Sequence, residues 1–290
     1  MKFSVSSYSF QKLLNSGEYT HFSLIEKVKE MGFDAIEYTD LMVPENKTEI
    51  EFAKELKNEA ERVGLEISSY TVGADMLNGC DGDLDKEIER IKAKVDVAEA
   101  LGVKFMRHDA GWGYKDERKS YMGFEEALPV FVKGCKAVTE YAKTKGIVTM
   151  IENHGFFCQD SDRVEKVVCG VADPNFGVLF DCGNFLCADE NPVIAAGKLA
   201  NYVKYVHAKD FFVRSGMGYD PGCGFFRTRS GNYLRGTIVG QGDAPVKQCI
   251  EVILSSGYDG YLSVEFEGIE DNIQAIEQGL KNLKYFSKKE

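Results

Sequence analysis

The sequence predicts a single-domain α/β protein, a (β/α)8 barrel spanning residues 1–290. Three observations predict it. Eight apolar strand-like runs alternate strictly with eight helix-like segments, the pattern of a parallel sheet, and eight units suit closure. The length of 290 residues fits such a barrel, which typically needs about 250. Four of the runs end abruptly on metal-competent side chains, at the strand termini where α/β proteins carry their chemistry.

In order, strands are expected over 2–7, 35–38, 66–70, 104–106, 148–151, 176–180, 203–206 and 261–264. Helices are expected over 21–31, 48–63, 83–100, 124–145, 160–169, 192–199, 244–255 and 271–286, read from apolar residues at helical spacing. Gly64 and Gly102 stop the second and third helices, and Asp243 can N-cap the one beginning at 244. An open doubly wound sheet would need a glycine-rich phosphate fingerprint after its first strand, and SSYSFQK has no glycine. The connection 208–241 is long for a barrel and rich in aromatics and arginines. It reads as a lid over a polar, anionic or glycosylated substrate, or as an oligomer contact.

Composition narrows the function. A net charge of −11 repels phosphate backbones, and the only basic run is the short 288–289 tail, so nucleic acid is not an expected partner. No apolar stretch approaches the roughly 20 residues needed to span a bilayer, so no membrane association is expected. The N-terminus lacks the apolar core of a signal peptide. The eight cysteines contain no CxxC pair, so free buried thiols in a reducing cytoplasm are expected.

The chemistry centres on VTMIENHG, 148–155, where a buried run leads into Glu152, Asn153 and His154. Three further runs behave alike: FGVLFD ends on Asp181, VKYVH on His207, and YLSVE on Glu265. Three carboxylates and one imidazole suit one divalent cation with oxygen ligands and a single imidazole. Lys209 continues the His207 strand pattern towards the same side, where it can bind a substrate oxygen. Arg107 and His108, at the end of the fourth strand, can clamp hydroxyls or a carbonyl, or Arg107 pairs with Asp109. His154 can orient a ligand, shuttle a proton, or simply be hydrogen bonded. Glu37 is expected to be structural. Trp112 and Tyr114 form a wall against a sugar ring or merely pack. His21 is placed at a helix start on the far side from the site.

Taken together, IENHG, LFDCGN, VHAKD and SVEFEG, with the VGQGDAP turn at 239–245, resemble the xylose isomerase-like sugar phosphate isomerase/epimerase superfamily over essentially the whole chain. Its members include ketose 3-epimerases, hydroxypyruvate isomerase, inosose isomerases and dehydratases, and the endonuclease IV branch. The resemblance implies Glu152, Asp181, His207 and Glu265 as ligands of one divalent metal, Mn²⁺ or Mg²⁺ first, with Zn²⁺ and Co²⁺ as alternatives. It also implies Glu152 and Glu265 as the acid/base pair, and a homodimer or homotetramer. Ketose 3-epimerases often place a substrate-binding histidine three residues after the metal aspartate; here that position is Asn184. The three-metal, His-rich site of endonuclease IV does not suit a chain with four histidines. The leading expectation is a sugar isomerase or epimerase working through an enediolate. A dehydratase or lyase acting on inosose or 3-keto-glycosides is the alternative, with a metal-free sugar-binding barrel behind both. No phosphate cradle is evident, so an unphosphorylated sugar is the expected substrate.

Overall fold

The computed structural model describes residues 1–288. Lys289, the second lysine of the basic tail, and Glu290 lie outside the described residues. The barrel strands are β1 (Lys2–Ser6), β2 (Ala35–Tyr38), β3 (Glu66–Val72), β4 (Phe105–His108), β5 (Val148–Glu152), β6 (Phe176–Asp181) and β7 (Val203–Ala208). After three strands of a second sheet, β8 (Asp210–Arg214), β9 (Phe226–Arg227) and β10 (Tyr233–Thr237), the last barrel strand is β11 (Tyr261–Val264). All barrel neighbours pair in parallel, and β11 closes on β1 with Lys2 opposite Tyr261.

The enclosing helices are α1 (Gln11–Asn15), α2 (His21–Glu30), α3 (Glu49–Val63), α4 (Leu84–Leu101), α5 (Phe124–Thr144), α6 (Ser161–Val171), α7 (Pro192–Leu199), α8 (Val246–Ser255) and α9 (Asn272–Phe286). Each buries an apolar stripe against the outside of the ring. In α3 the stripe is Phe52, Ala53, Leu56 and Ala60. Thr48 and Glu51 form a capping box at its start, and Gly64, at φ 72°, ends it as the sequence predicts. None of the described helices is long and apolar enough to cross a membrane. The cysteines are free, but Cys169 and Cys223 are exposed rather than buried as expected.

Alternation along the strands stacks the barrel interior. Met150, Leu179 and Tyr205, with Phe105 and Tyr261, form an apolar cluster apart from the main core. Tyr205 stacks on Tyr261 with ring centroids 5.5 Å apart, and its hydroxyl lies 2.8 Å from Ser68 Oγ. Two residues further along four of these strands, the same face carries Arg107, Glu152, Asp181 and His207. An apolar plug thus supports a polar layer at the carboxyl ends.

The 208–241 connection is not irregular. Strands β8, β10 and β9 form a three-stranded antiparallel sheet over the barrel mouth. Its return is pinned by Asp210, whose buried carboxylate accepts from the backbone N–H groups of Phe211, Gly240, Gly242 and Ala244 at 2.8–3.0 Å. A Cβ on Gly242 would fall 2.2 Å from Asp210 Oδ1, so the close approach requires glycine. Burial pushes the Asp210 carboxyl up to about 6, against the pull of those four hydrogen bonds.

Asp243 does not cap α8. The helix begins only after Pro245, which carries no N–H, and Asp243 instead accepts from the N–H of Val213 at 2.7 Å and pairs with Arg214 at 3.5 Å. Replacing Asp210 with Ala strands several buried N–H donors and should cost about 2–4 kcal/mol in urea unfolding. Asp210→Asn should recover part of that loss.

Candidate metal centre and substrate cavity

The four strand-end residues converge. One donor atom from each of Glu152, Asp181, His207 and Glu265 lies within 4.8 Å of the others, and all four residues are buried. His207 Nδ1 is 3.5 Å from Glu265 Oε1, 3.7 Å from Glu152 Oε1 and 3.9 Å from Asp181 Oδ2. Register brings one of these pairs together, because Asp181 on β6 sits directly opposite His207 on β7.

Glu37 decides what His207 offers. Both of its oxygens lie 2.9 Å from His207 Nε2. Nε2 donates to Glu37, so Nδ1 is the nitrogen that faces three carboxylates. Burial opposes protonation of the ring, but Glu37 and Glu265 outweigh it and raise its proton affinity well above the usual histidine range, so a cation at Nδ1 would displace a proton. Thr71 Oγ1 donates to Glu37 at 3.0 Å and steadies it. Sequence reasoning gave Glu37 a merely structural part; the available signal was its place at the end of β2, equivalent to that of the four converging residues.

Asp181 is prepared in the same manner. Its Oδ1 accepts from the backbone N–H groups of Gly183 and Asn184, each at 2.8 Å. Asn153 ties β5 to β6 by donating to Asp181 O at 3.0 Å and accepting from Asp181 N at 2.9 Å. Asp181 Oδ2 and His207 Nδ1 are left buried with no hydrogen-bond partner. Buried polar atoms without partners are costly, and here two of them face one point among further oxygens. Three carboxylate donors and one imidazole with its other nitrogen anchored fit a hard divalent cation.

Two fixed cations flank the cluster. Arg107 Nη2 lies 2.7 Å from Glu152 Oε2 and 2.8 Å from Asp109 Oδ1. Lys209 Nζ lies 2.6 Å from Glu265 Oε2, 3.2 Å from Glu267 and 3.6 Å from Asp181. Burial pushes the Glu152 carboxyl up, but Arg107 and His207 outweigh it and hold it well down. Burial likewise opposes ionisation of Glu265, and Lys209 with His207 overcomes it. Asp181 has no such direct partner; burial, with Glu152 and Glu265 adding, raises it to about 7 against the pull of Lys209. A cation among these donors reverses that balance and favours the carboxylate.

A cavity of about 610 Å³ opens over the cluster, walled by Glu152, Glu265, Arg107, Asn184, Lys209 and His154 among others. Asn184 Nδ2 donates to Glu152 Oε1 at 3.0 Å. His154 Nδ1 is 3.0 Å from Asp109 Oδ1; burial lowers its proton affinity, but Asp109 outweighs burial and raises it. Trp112 lines the wall beside His154, whereas Tyr114 packs on the core under the guanidinium of Arg118.

His108 does not reach the cavity, contrary to the substrate-clamping part given to it. It follows Arg107 on β4, so alternation turns it outwards, where Nδ1 meets Asp109 O at 2.9 Å and the ring lies 6.3 Å from that of Phe176. His21 is also placed differently from expectation. It lies at the same end of the barrel as the site, accepting from the N–H of Met42 at 3.0 Å, with Tyr38 Oη donating to its carbonyl. Each crossover helix after a strand begins at the end where that strand finishes.

Comparisons with known proteins agree with this architecture. The chain is 26% identical over 176 residues to an inosose dehydratase of Clostridium beijerinckii, covering 60% of this chain and 58% of that protein. It therefore spans less than two thirds of that relative's length. A 3-keto-D-glucoside 4-epimerase from E. coli superposes with a TM-score of 0.70 at 16% identity, covering 98% of this chain and 99% of that one. A barrel protein from Mycobacterium smegmatis, solved in complex with magnesium, gives a TM-score of 0.69 at 19% identity, covering 92% and 88%. At such identities the structural likeness is one of fold. Residues 25–286 match the family model described as xylose isomerase-like TIM barrel, and the chain belongs to that family.

Proposed function

We propose that this protein is a divalent-metal-dependent enzyme that enolises a keto-sugar and returns the proton, as an isomerase or epimerase. The observation that carries this reading is the placement of Glu152 and Glu265. They approach His207 from different strands, and each is held ionised by its own buried cation. A divalent cation held by Glu152, Asp181, His207 and Glu265, Mn²⁺ or Mg²⁺ by the donor set, supplies Lewis-acid stabilisation of the charge that develops when a carbonyl enolises.

The chain's own groups do the rest. Glu152 on one side of the sugar takes the proton from the carbon beside the carbonyl, and the opposite face receives one from the Glu265–Lys209 pair, in which the Lys209 ammonium carries the proton. Arg107 and Asn184 fix the orientation of Glu152, and Lys209 that of Glu265. His154 and Asn184 line the cavity within reach of sugar hydroxyls. The magnesium complex of the Mycobacterium smegmatis relative supports Mg²⁺ as an acceptable ion.

A second reading, a dehydratase, is favoured by Lys209. Its ammonium lies between Glu265 and Glu267, 3.4 Å from Asn184 Oδ1, and can give a proton to a departing hydroxyl. The inosose dehydratase relative points the same way.

Proton NMR in D₂O, with Mg²⁺-loaded protein, a panel of ketoses and inososes and a chelator control, separates the two. Deuterium beside the carbonyl with a new diastereomer or aldose is expected; loss of water identifies the dehydratase instead. Glu152→Gln and Glu265→Gln should each lower exchange about 10²–10⁴-fold, and full exchange in both variants would sink the proposal. Glu37→Gln should weaken Mn²⁺ binding roughly 10–100-fold by calorimetry, because Nε2 loses its charged partner. Unchanged affinity would remove Glu37 from the metal site.

A further inference from the structure

The cavity has two unlike halves. Its floor is charged, with Glu152, Glu265, Arg107 and Lys209. Its outer wall is aromatic: Trp112, Phe156 and Tyr8 line it while 44%, 42% and 38% exposed. Phe226 of the second sheet borders the same space, edge-on to Phe156 with ring centroids 6.5 Å apart. The volume of about 610 Å³ falls where drug-sized ligands bind, roughly 300–1,000 Å³, and exceeds what one sugar ring fills.

These exposed rings are held in place. Phe156 has φ 63°, a left-handed backbone that a bulky residue takes only under constraint. Arg229, between β9 and β10, provides the constraint, donating from Nε to Phe156 O at 3.2 Å, again from Nη2 to the same oxygen, and from Nη1 to Asp160 at 2.8 Å. A Cβ on Gly155 would come within 3.0 Å of the Trp112 indole, so the indole rests against bare backbone. Trp112 also stands edge-on to His154 at 5.0 Å, which ties the aromatic wall to the charged floor.

We propose that the outer half is a subsite for a second ring. The substrate is then a keto-sugar bearing a further ring in glycosidic linkage, with the keto-sugar over the four strand ends and the second ring against Trp112 and Phe156. The identity of the first ring rests on the enolisation reading; the subsite itself does not. An aromatic aglycone and a second sugar both present a flat face to an indole, and the test tells them apart.

Trp112 is the only tryptophan in the chain, so its fluorescence reports occupancy directly. Mg²⁺-loaded protein is titrated with methyl β-D-glucoside, phenyl β-D-glucoside and cellobiose. Phenyl glucoside or cellobiose should bind at least about tenfold more tightly than methyl glucoside, and the tighter of the two names the ring. Phe156→Ala should shrink that preference by about threefold or more. Phe156→Leu, which keeps apolar bulk without a flat face, should do the same. Equal affinity for all three glucosides, no response to any of them, or a preference that survives both variants overturns the proposal. Deuterium exchange on the matching 3-keto-glucosides is read separately. Ring preference without exchange removes the enolisation reading alone; exchange without ring preference removes the subsite alone.

Discussion

The crowding of carboxylates at the barrel mouth is the constraint that the surrounding structure answers. Glu37, Asp109, Glu152, Asp181 and Glu265 are all buried within one layer. Ionised carboxylates removed from water are unfavourable by several kcal/mol each unless charge and hydrogen bonds compensate. Arg107 bridges Asp109 and Glu152, and Lys209 bridges Glu265 and Glu267, so the outer oxygens are satisfied. The inner oxygens still face one another and Nδ1 of His207. One donor atom from each of Glu152, Asp181, His207 and Glu265 lies within 4.8 Å of the others, a set that can hold a cation.

Holding those donors apart, yet aimed inwards, is a task for the barrel. Four strands end on ligands, and hydrogen bonds between neighbouring strands fix where each ends. Below them Tyr205 fills the axis, its ring 5.9 Å from that of His207, so the imidazole cannot sink. Beside them Asn153 couples the ends of β5 and β6 by two hydrogen bonds. Above them the second sheet is anchored through Asp210, three residues beyond His207 and the first residue of β8, so the chain leaving the histidine strand at once fixes that sheet's return.

What could be read from the sequence follows from this arrangement. The eightfold alternation was legible because helix and strand periods differ, and the four converging residues because an apolar run stops on a polar residue. Facing was harder. Arg107 and His108 look equally suitable, and only strand phase, which depends on register with β3 and β5, sends one inwards and the other out. The partner of Glu37 was not legible, because a single carboxylate after AI carries no mark of a residue 170 positions away. The second sheet was hidden because its strands are joined by glycine-rich turns and draw their order from long-range pairing between β8 and β10. Asp243 looked like a cap, but Pro245 moved the helix start beyond its reach.

The two flanking cations make the two faces of the site unlike. Arg107 presents a guanidinium that keeps its proton under all ordinary conditions, so Glu152 remains a base and Arg107 itself cannot act as an acid. Lys209 presents an ammonium, the more readily deprotonated kind of cation, and it touches Glu265, Glu267 and Asp181 together. Those carboxylates outweigh burial and hold its proton more tightly than in a free lysine until substrate or a cation draws on them. Proton removal therefore suits the Glu152 side, and proton delivery suits the Glu265 side. Delivery to carbon gives an epimer, and delivery to a departing oxygen gives elimination. The choice depends on which substrate atom is brought nearest Lys209, a matter of how the sugar is seated in the cavity. Under the proposed function the same four residues would serve both outcomes, so the walls of the cavity, more than those residues, would set the reaction.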